Sequence, residues 1–324
     1  MKPLAEQVVV VTGASSGIGR ATALLLASRG SKVVCAARGV EALGSLVEEI
    51  GAAGGQALSV PTDVGDPAAV RRLAERAEER FSAIDTWVNG AAVSVYATVE
   101  DTTDEEFERL MRVNFLGHVY GVHAALPALR RAGGGVVIGI SSVEGVRTVP
   151  LHGAYSASKR ALRGMYDALR MELAAQGEPI AVTTILPASI DTPFFEHARS
   201  KLGAMPKPPP PVYAPELVAR AIATAAEHPT REVPVGGAAL AFIAGQRLSP
   251  ALTDVVMSVP RLGFESQRSN RPDNGRDNLF EPAGDGGSVH GSHPGRVLRN
   301  SVLTSLLAHR SRLGDVLLRA RQGL

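Results

Sequence analysis

The sequence has one cysteine, little net charge and no long apolar run, and each of these absences excludes something. Cys35 has no second cysteine to pair with, so an internal disulfide is impossible and disulfide usage indicates no compartment. The formal net charge of +2 gives no strong electrostatic case for a nucleic-acid partner. No stretch of 18 or more apolar residues occurs, and the first residues contain no apolar signal-peptide segment. We therefore expect a soluble cytoplasmic protein.

Two common catalytic patterns are also missing. His118 and His123 are five residues apart on one predicted helix, whereas a spacing of four would place two ligands on one face. Ser141 and Ser142 do not lie in a G-x-S-x-G context, which disfavours a serine hydrolase. We therefore expect no metal site. We interpret Cys35, in a predicted buried strand, as a small hydrophobic residue rather than a nucleophile.

Short β-branched runs alternate with helix-length amphipathic stretches over about residues 5 to 245. The predicted strands cover residues 8–11, 32–36, 57–61, 86–88, 135–141 and 180–186. The predicted helices cover residues 20–28, 40–50, 67–81, 104–129 (one long helix or a broken pair), 154–176 and 215–227. This alternation predicts an α/β fold, a doubly wound parallel sheet with right-handed crossovers and helices on both faces.

The pattern is interrupted at two places. Residues 207–211 (KPPPP) predict an extended segment. Between Ser258 and Gly295 the composition shifts to Arg, Asn, Asp, Gly and Pro, which predicts irregular structure ordered by packing on the main domain. We therefore expect a main domain over residues 1–255 and a C-terminal extension over residues 256–324, made of this irregular segment and an amphipathic helix.

The predicted C-terminal helix over residues 296–324 is basic and amphipathic. Its single acid is Asp315, against the arginines Arg296, Arg299, Arg310, Arg312, Arg319 and Arg321. Its apolar stripe consists of Leu298, Val302, Leu306, Leu313 and Leu317. Such a helix could pack on its own domain, on a partner subunit or on an anionic membrane surface, and we favour protein packing.

A glycine-rich turn follows the first predicted strand. Residues 12–19 read TGASSGIG, with Gly13, Gly17 and Gly19 between a strand and a helix. Glycine allows the backbone to approach a pyrophosphate, whose charge suits a helix N-terminus. The alternative is a tight β-α turn without a ligand, because the spacing differs from G-x-G-x-x-G.

A second group of residues suits chemistry at a carbonyl. A carbonyl that accepts hydride develops negative charge on its oxygen and needs a proton donor within hydrogen-bond reach. Tyr155 and Lys159 are four residues apart, so they share one helix face, and the ammonium is expected to lower the pKa of the phenol. Each residue alone has an ordinary structural interpretation, but the set beside a phosphate loop predicts a redox enzyme.

The TGASSGIG and YSASK motifs resemble those of the classical short-chain dehydrogenase/reductase family, over about residues 5 to 195. The resemblance implies a Rossmann-like dinucleotide-binding and catalytic domain. It also implies that Tyr155 is the general acid and base, that Lys159 bonds the nicotinamide ribose, that Ser142 bonds the substrate oxygen, and that Asn114 holds a water. The implied catalytic residues are thus Asn114, Ser142, Tyr155 and Lys159.

The resemblance assigns further residues to the cofactor. These are Gly13, Ser15, Ser16, Gly17, Ile18, Gly19, Arg38, Asp63, Val64, Asn89, Ala91, Tyr155, Lys159, Pro187, Ile190 and Thr192. Two segments depart from the family pattern. Residues 89–92 read NGAA where the family usually has NNAG, and Ala188 replaces the usual glycine of the PGxxxT segment.

The end of the second predicted strand indicates which cofactor is preferred. NAD enzymes place a carboxylate there to bond the ribose 2′-hydroxyl, but this strand ends in Ala37 and Arg38. A guanidinium can pair with a 2′-phosphate, and Ser15 is a second candidate for that phosphate. We therefore predict NADP(H) rather than NAD(H). The alternative is that Arg38 is a solvated surface residue.

The sequence thus predicts an NADP(H)-dependent oxidoreductase that interconverts a ketone or aldehyde with the alcohol. Candidate substrate residues are Ser94, Val143, His152, Phe194 and Phe195, and their apolar bias favours a hydrophobic substrate. The family resemblance implies a homodimer or homotetramer. The alternative function is a non-catalytic NADP-binding protein whose tail binds a partner or a membrane.

Overall fold

The computed structural model of the protein describes residues 1–284, 286–301 and 304. Seven strands form one parallel sheet: β1 (Val8–Thr12), β2 (Lys32–Ala37), β3 (Gln56–Pro61), β4 (Thr86–Asn89), β6 (Gly135–Ile140), β7 (Ile180–Pro187) and β10 (Glu232–Val235). Their order is β10-β7-β6-β4-β1-β2-β3. Two further pairs of two-residue strands lie outside this sheet: β5 (Val95–Tyr96) with β8 (Arg199–Ser200), and β9 (Val212–Tyr213) with β11 (Val297–Leu298).

Helices cover both faces of the sheet. They are α1 (Gly17–Ser28), α2 (Val40–Ala52), α3 (Pro67–Phe81), α4 (Asp104–Met111), α5 (Gly117–Arg131), α6 (Gly153–Ala175), α7 (Pro215–Glu227), α8 (Gly237–Leu248), α9 (Pro250–Ser258) and α10 (Pro260–Gly263). The helices and the sheet enclose two apolar cores. One contains buried residues of α1, α2 and α7, and the second contains buried residues of α3, α5 and α6. The prediction of a Rossmann-like doubly wound sheet is confirmed.

The strand order places a crevice at the centre of the sheet. β1 lies between β2 and β4, so the connections on its two sides run in opposite directions across the sheet. In open parallel sheets, ligands bind beyond the carboxyl ends of the strands at such a reversal. The loops that follow β1, β2, β4, β6 and β7 therefore surround one site.

The predicted helix over residues 104–129 is a broken pair. Thr103 begins α4 with a capping box, in which its hydroxyl accepts from the Glu106 amide and the Glu106 carboxylate accepts from the Thr103 amide. The π-helical turn Arg112–Leu116 then separates α4 from α5, and it contains Asn114. Such turns interrupt the regular helical hydrogen bonds and are frequent at functional sites.

The C-terminal extension contains more regular structure than its composition predicts. α10 and the 3₁₀ turn Glu265–Gln267 precede a long irregular run. The predicted helix beginning at Arg296 is wrong at its start, because Val297 and Leu298 form β11 beside β9. Residues 302, 303 and 305–324 of that predicted helix lie outside the described residues. In the part of the chain that the structure describes, no helix has the length and hydropathy needed to cross a bilayer.

Candidate active site

The glycine loop, residues 12–19, joins β1 to α1 at the carboxyl edge of the sheet. Gly13 and Gly17 have φ angles of +73° and +54°, which residues with a Cβ rarely adopt. A Cβ at Gly13 would also lie 2.7 Å from the Cα of Ala91 in the loop after β4. Because α1 begins at Gly17, its first amides and the positive end of its dipole lie at this loop. The loop therefore has the shape and the donors to hold a phosphate group.

A cavity of about 590 Å³ extends from the glycine loop to a group of aromatic side chains. Most residues predicted from the sequence line it: Gly13, Ser15, Ser16, Gly17, Ile18, Gly19, Arg38, Asp63, Val64, Ala91, Ser142, Val143, His152, Tyr155, Lys159, Pro187, Ile190, Thr192, Phe194 and Phe195. This volume is typical of a pocket for a small molecule or cofactor. The structure thus brings the two halves of the predicted site together.

A phenol, a hydroxyl and an amine meet on one wall of this cavity. The Ser142 hydroxyl lies near that of Tyr155 and acts to lower the pKa of the phenol. Lys159 lies one turn after Tyr155 on α6, with its Nζ 5.5 Å from the centre of the phenol ring. That Nζ donates a 3.0 Å hydrogen bond to the carbonyl of Ile140 at the end of β6. The helix spacing and the strand end thus fix the three groups relative to one another.

Burial changes the acidity of both ionisable groups. The pKa of Tyr155 is raised by burial and by the negative charge of Glu144, and the Ser142 hydroxyl lowers it only in part. This differs from the lowered pKa expected from the sequence, because a desolvated phenol is costly to ionise. Burial lowers the pKa of Lys159 to about 7, and Glu144 acts in the opposite direction. The unliganded site therefore keeps Tyr155 protonated, as a proton donor must be.

A buried hydrogen-bonded array lies against Tyr155. The Ser94 Oγ and the His152 Nε2 are 2.7 Å apart, and the His152 Nδ1 lies 3.0 Å from both oxygens of Glu144. The Ser156 hydroxyl donates to the same carboxylate at 2.9 Å. The His152 ring stacks on the Tyr155 ring, with 4.8 Å between the ring centres. Ser94 is therefore not a wall residue of the cavity, since its hydroxyl lies behind His152.

Asn89 differs from its predicted role at the cofactor. Its side-chain oxygen accepts from the Trp87 indole at 2.8 Å, and its amide donates to the Tyr166 hydroxyl at 3.1 Å. It is 1% exposed and does not line the cavity. Gly121 of α5 packs directly on its side chain. Asn89 therefore ties β4 to the helices behind it, because its whole amide is used within the core.

Asn114 also lies behind the cavity wall. Its side-chain oxygen accepts from the Val93 amide at 2.8 Å, and its amide donates to the Val93 carbonyl at 2.9 Å. The same amide lies 3.3 Å from the Ser158 hydroxyl on α6. This side chain therefore connects the π-helical turn, the loop after β4 and the helix that carries Tyr155.

Arg38, Glu41 and Asp63 line the end of the cavity that lies beyond β2 and β3, and Arg109 lies beside Asp63. Arg109 donates to Asp63 at 2.7 Å, and the Gly65 amide donates to the same carboxylate at 2.8 Å. The pKa of Asp63 is lowered, because these hydrogen bonds and the charges of Arg109 and Arg38 outweigh its burial. The pKa of Arg38 is lowered by burial and by Arg109, with Asp63 opposing, and the guanidinium remains charged. Glu281 also opposes that lowering, so the two arginines face at least two carboxylates, and Arg38 supplies the cation that lines this end of the cavity.

Aromatic and apolar side chains form the other end of the cavity. The Tyr155 and Phe194 ring centres are 5.4 Å apart, and Phe195 packs edge-on against Phe194 at 5.5 Å. Tyr96 lies between Phe195 and His152, with its ring centre 3.9 Å from that of His152. A substrate held beside Tyr155 would therefore be surrounded mainly by rings.

The sequence did not identify several residues that line the cavity. Beyond residue 200 they include Pro209, Pro210, Pro211, Phe242, Gln267, Asn278, Pro282, Ala283 and Gly284. All follow the segment that resembles the family, and four of them lie in the irregular part of the extension. No local spacing marks them. The composition shift after Ser258 was the only signal, and it predicted packing on the main domain without a location.

Comparisons with known proteins agree with this geometry. A family model described as short chain dehydrogenase matches residues 7–203. A Bacillus subtilis protein described as the uncharacterized oxidoreductase YxnA is 41% identical over 307 residues, which cover 94% of this chain and 86% of that protein. The family match spans more than half of the chain. The chain therefore belongs to the short-chain dehydrogenase/reductase family and is an oxidoreductase.

Solved structures of this family share the fold. A short-chain dehydrogenase/reductase from Burkholderia phymatum in complex with NAD has a TM-score of 0.71 at 26% identity, over 78% of this chain and 97% of that one. A metagenomic short-chain oxidoreductase in complex with NADP has a TM-score of 0.60 at 32% identity, over 71% of this chain and 96% of that one.

Proposed function

We propose that this protein is an NADP(H)-dependent oxidoreductase that interconverts a ketone or aldehyde with the corresponding alcohol. The observation that carries the proposal is the placement of Ser142, Tyr155 and Lys159 in one cavity with the glycine loop. A protein that only bound a nucleotide would not need a protonated phenol beside a serine and a lysine in that cavity. This argument favours catalysis over the alternative of a non-catalytic NADP-binding protein.

The residues present fit a dinucleotide. The glycine loop offers main-chain donors at the start of α1, and Arg38 lies at the end of β2, where Ala37 supplies no carboxylate. The similar structures contain either NAD or NADP, so the preference rests on this chain's own residues. A guanidinium at this position can pair with a 2′-phosphate through charged hydrogen bonds, which a neutral 2′-hydroxyl cannot match.

The protein's own residues handle the proton. A bound reduced nicotinamide would supply the hydride. Tyr155 donates its hydroxyl proton to the substrate oxygen, on which negative charge develops, and Ser142 donates a hydrogen bond to the same oxygen. Lys159, whose pKa is near 7, supplies positive charge beside the phenolate that is left. The rings of Phe194 and Phe195 exclude water and select a hydrophobic carbonyl compound.

The first experiment follows NADPH oxidation with graded aldehydes, cyclic ketones and bulky ketones. With Tyr155→Phe we expect turnover to fall by at least about 10²-fold, because a positioned general acid contributes that much. NADPH binding, measured by fluorescence titration, should persist in the variant. Undiminished turnover in Tyr155→Phe would exclude Tyr155 as the acid. Tight NADPH binding without turnover across a broad panel would favour the non-catalytic alternative.

The cofactor preference is tested at Arg38. In Arg38→Ala we expect NADPH to bind at least about tenfold more weakly, since a hydrogen bond to a charged group contributes about 1.5–3 kcal/mol. NADH affinity should change by less than about twofold. An NADPH dissociation constant equal to that of the unsubstituted protein would contradict the assignment.

A further inference from the structure

A segment of the C-terminal extension crosses the carboxyl edge of the sheet above the dinucleotide groove. We call residues 278–284 and 286–291 the strap. At its first end, the Asn278 amide donates to the His197 carbonyl at 2.9 Å, and the Leu279 side chain is fully buried in the core. At its other end, the His290 ring lies 3.3 Å from Asp191 and 2.8 Å from Glu216. The strap is therefore anchored at both ends.

The strap contacts the two groups that we assign to the anions of the cofactor. Arg38 donates to the Phe280 carbonyl at 2.7 Å and also to the Asn278 carbonyl. The Gly17 amide, at the start of α1, donates to the Ser288 carbonyl at 2.7 Å. We call the part of the groove between Arg38 and the glycine loop its adenosine half. Carbonyl oxygens of the strap thus accept hydrogen bonds from a donor at each end of this half.

The strap does not fill the groove. The same cavity is lined by the glycine loop on one side and by Asn278, Pro282, Ala283 and Gly284 of the strap on the other. The Arg38 guanidinium carries five N–H donors. Two of them donate to strap carbonyls, so the others are available to a phosphate. The strap is therefore a roof above the adenosine half, and a dinucleotide could occupy the space beneath it.

We propose that the strap is a gate that must open for the dinucleotide to enter and leave, and that it sets the rate of cofactor release. The proposal rests on the proposed function, because it needs a dinucleotide in the groove. A ligand enclosed by the glycine loop below and a doubly anchored segment above cannot leave until that segment moves. Release is then limited by breaking the strap's contacts with Arg38, Gly17 and α2.

Gly287 offers a substitution that lifts the strap without changing the groove's own side chains. It has a φ of +80°, and a Cβ there would collide with the Ser15 carbonyl of the glycine loop. Gly275 is a matched control: its φ is +67°, and a Cβ there would meet nothing within 4 Å. Both substitutions to alanine carry the same kind of backbone strain in the same extension, but only one presses on the glycine loop.

The experiment measures NADPH release from the full-length protein by stopped-flow fluorescence, with excess NADP⁺ as the displacing ligand. We expect Gly287→Ala to accelerate release at least about tenfold, and Gly275→Ala to change it by less than about twofold. Hydrogen exchange gives an independent readout: the Gly17 amide should exchange faster in free Gly287→Ala than in the unsubstituted protein. Thermal melts establish that both variants fold.

If Gly287→Ala does not fold, Ser45→Ala replaces it. The Ser45 hydroxyl donates to the strap's Gly286 carbonyl at 2.9 Å, and its loss should accelerate release about threefold. Release from a folded Gly287→Ala at the original rate, or slower release, would overturn the gate while leaving the proposed function intact. An unsubstituted protein that binds neither NADPH nor NADH would overturn both.

Discussion

The Tyr155 phenol, our proposed proton donor, is surrounded by groups that oppose its ionisation. The phenol is 8% exposed, and the Glu144 carboxylate raises its pKa in addition to burial. Glu144 itself accepts from His152 and from Ser156, so its charge is held in place beside the phenol. The consequence is a site whose acid stays protonated until a ligand and the ammonium of Lys159 stabilise the phenolate.

Glu144→Gln tests this arrangement through the pH profile of carbonyl reduction. The negative charge of Glu144 raises the pKa of Tyr155 and also that of Lys159, so its removal lowers both. Reduction needs a protonated phenol and a charged amine. As the pH rises, each group loses its proton at a lower pH in the variant than in the unsubstituted protein. We therefore expect the alkaline fall of kcat/KM to move to lower pH.

The control for Glu144→Gln is the same change at Glu100, an exposed carboxylate in the loop before α4. Gln at 144 retains one oxygen that can accept from His152, and its NH2 group can donate to the Ser156 hydroxyl, so loss of the charge is the main change. A profile that stays in place in Glu144→Gln, or moves to higher pH, would show that this carboxylate does not act on the reacting groups.

At the scale of elements, the start of α1 is built around close backbone contact. A Cβ at Gly19 would lie well inside contact distance of the Gly13 carbonyl oxygen, which belongs to the backbone and cannot move aside as a side chain could. The glycines of this loop are therefore needed for the fold of the turn, whether or not a ligand is bound. This explains why the motif gives both a local structure and a binding surface.

Gly19→Ala and Gly44→Ala should consequently have opposite effects on stability. Gly19→Ala is expected to destabilise by about 1–3 kcal/mol because it overpacks the turn. Gly44 lies within α2, and a Cβ there meets nothing within 4 Å, so alanine should stabilise the protein by about 0.5–1 kcal/mol. Urea unfolding measures both changes, and equal effects would contradict the packing argument.

At the scale of the whole molecule, the extension and the main domain share one core. Leu279 is 0% exposed and packs in the same apolar core as residues of α3, α5 and α6. Arg109 of α4 donates to the Leu279 carbonyl at 3.0 Å. Val297 and Leu298 add β11 beside β9, close to the start of α7. The extension is therefore expected to unfold together with the sheet.

Leu279→Ala tests whether the extension and the sheet unfold together. Truncation of a fully buried leucine costs about 2–5 kcal/mol, and we expect that loss in the global unfolding free energy. The control is Phe280→Ala, since the Phe280 ring is 42% exposed and its contact with Arg199 contributes less than about 1 kcal/mol. If Leu279→Ala left the global transition unchanged, the extension would be an independent unit.

The sequence by itself determined the parts of this protein that depend on local spacing. Short β-branched runs alternating with helix-length stretches predicted the sheet. A strand–glycine–helix string predicted the glycine loop, and a four-residue interval placed Tyr155 beside Lys159. These features can be predicted from sequence because the regular backbone of a strand or helix fixes how far apart, and on which face, residues at a given interval lie. The same reasoning left open one long helix or a broken pair over residues 104–129, and it did not predict the π-helical turn that separates α4 from α5.

Only the tertiary structure decided which distant residues meet. The side chains of Asn89 and Asn114 point into the core. Ser94 meets His152 across 58 residues of sequence. The strap carbonyls that bond Arg38 come from about 240 residues away. Val297 and Leu298 form a strand by pairing with Val212 and Tyr213, which lie far away in the sequence. Such contacts depend on the surfaces left after the sheet has formed, and no interval within a single segment records them.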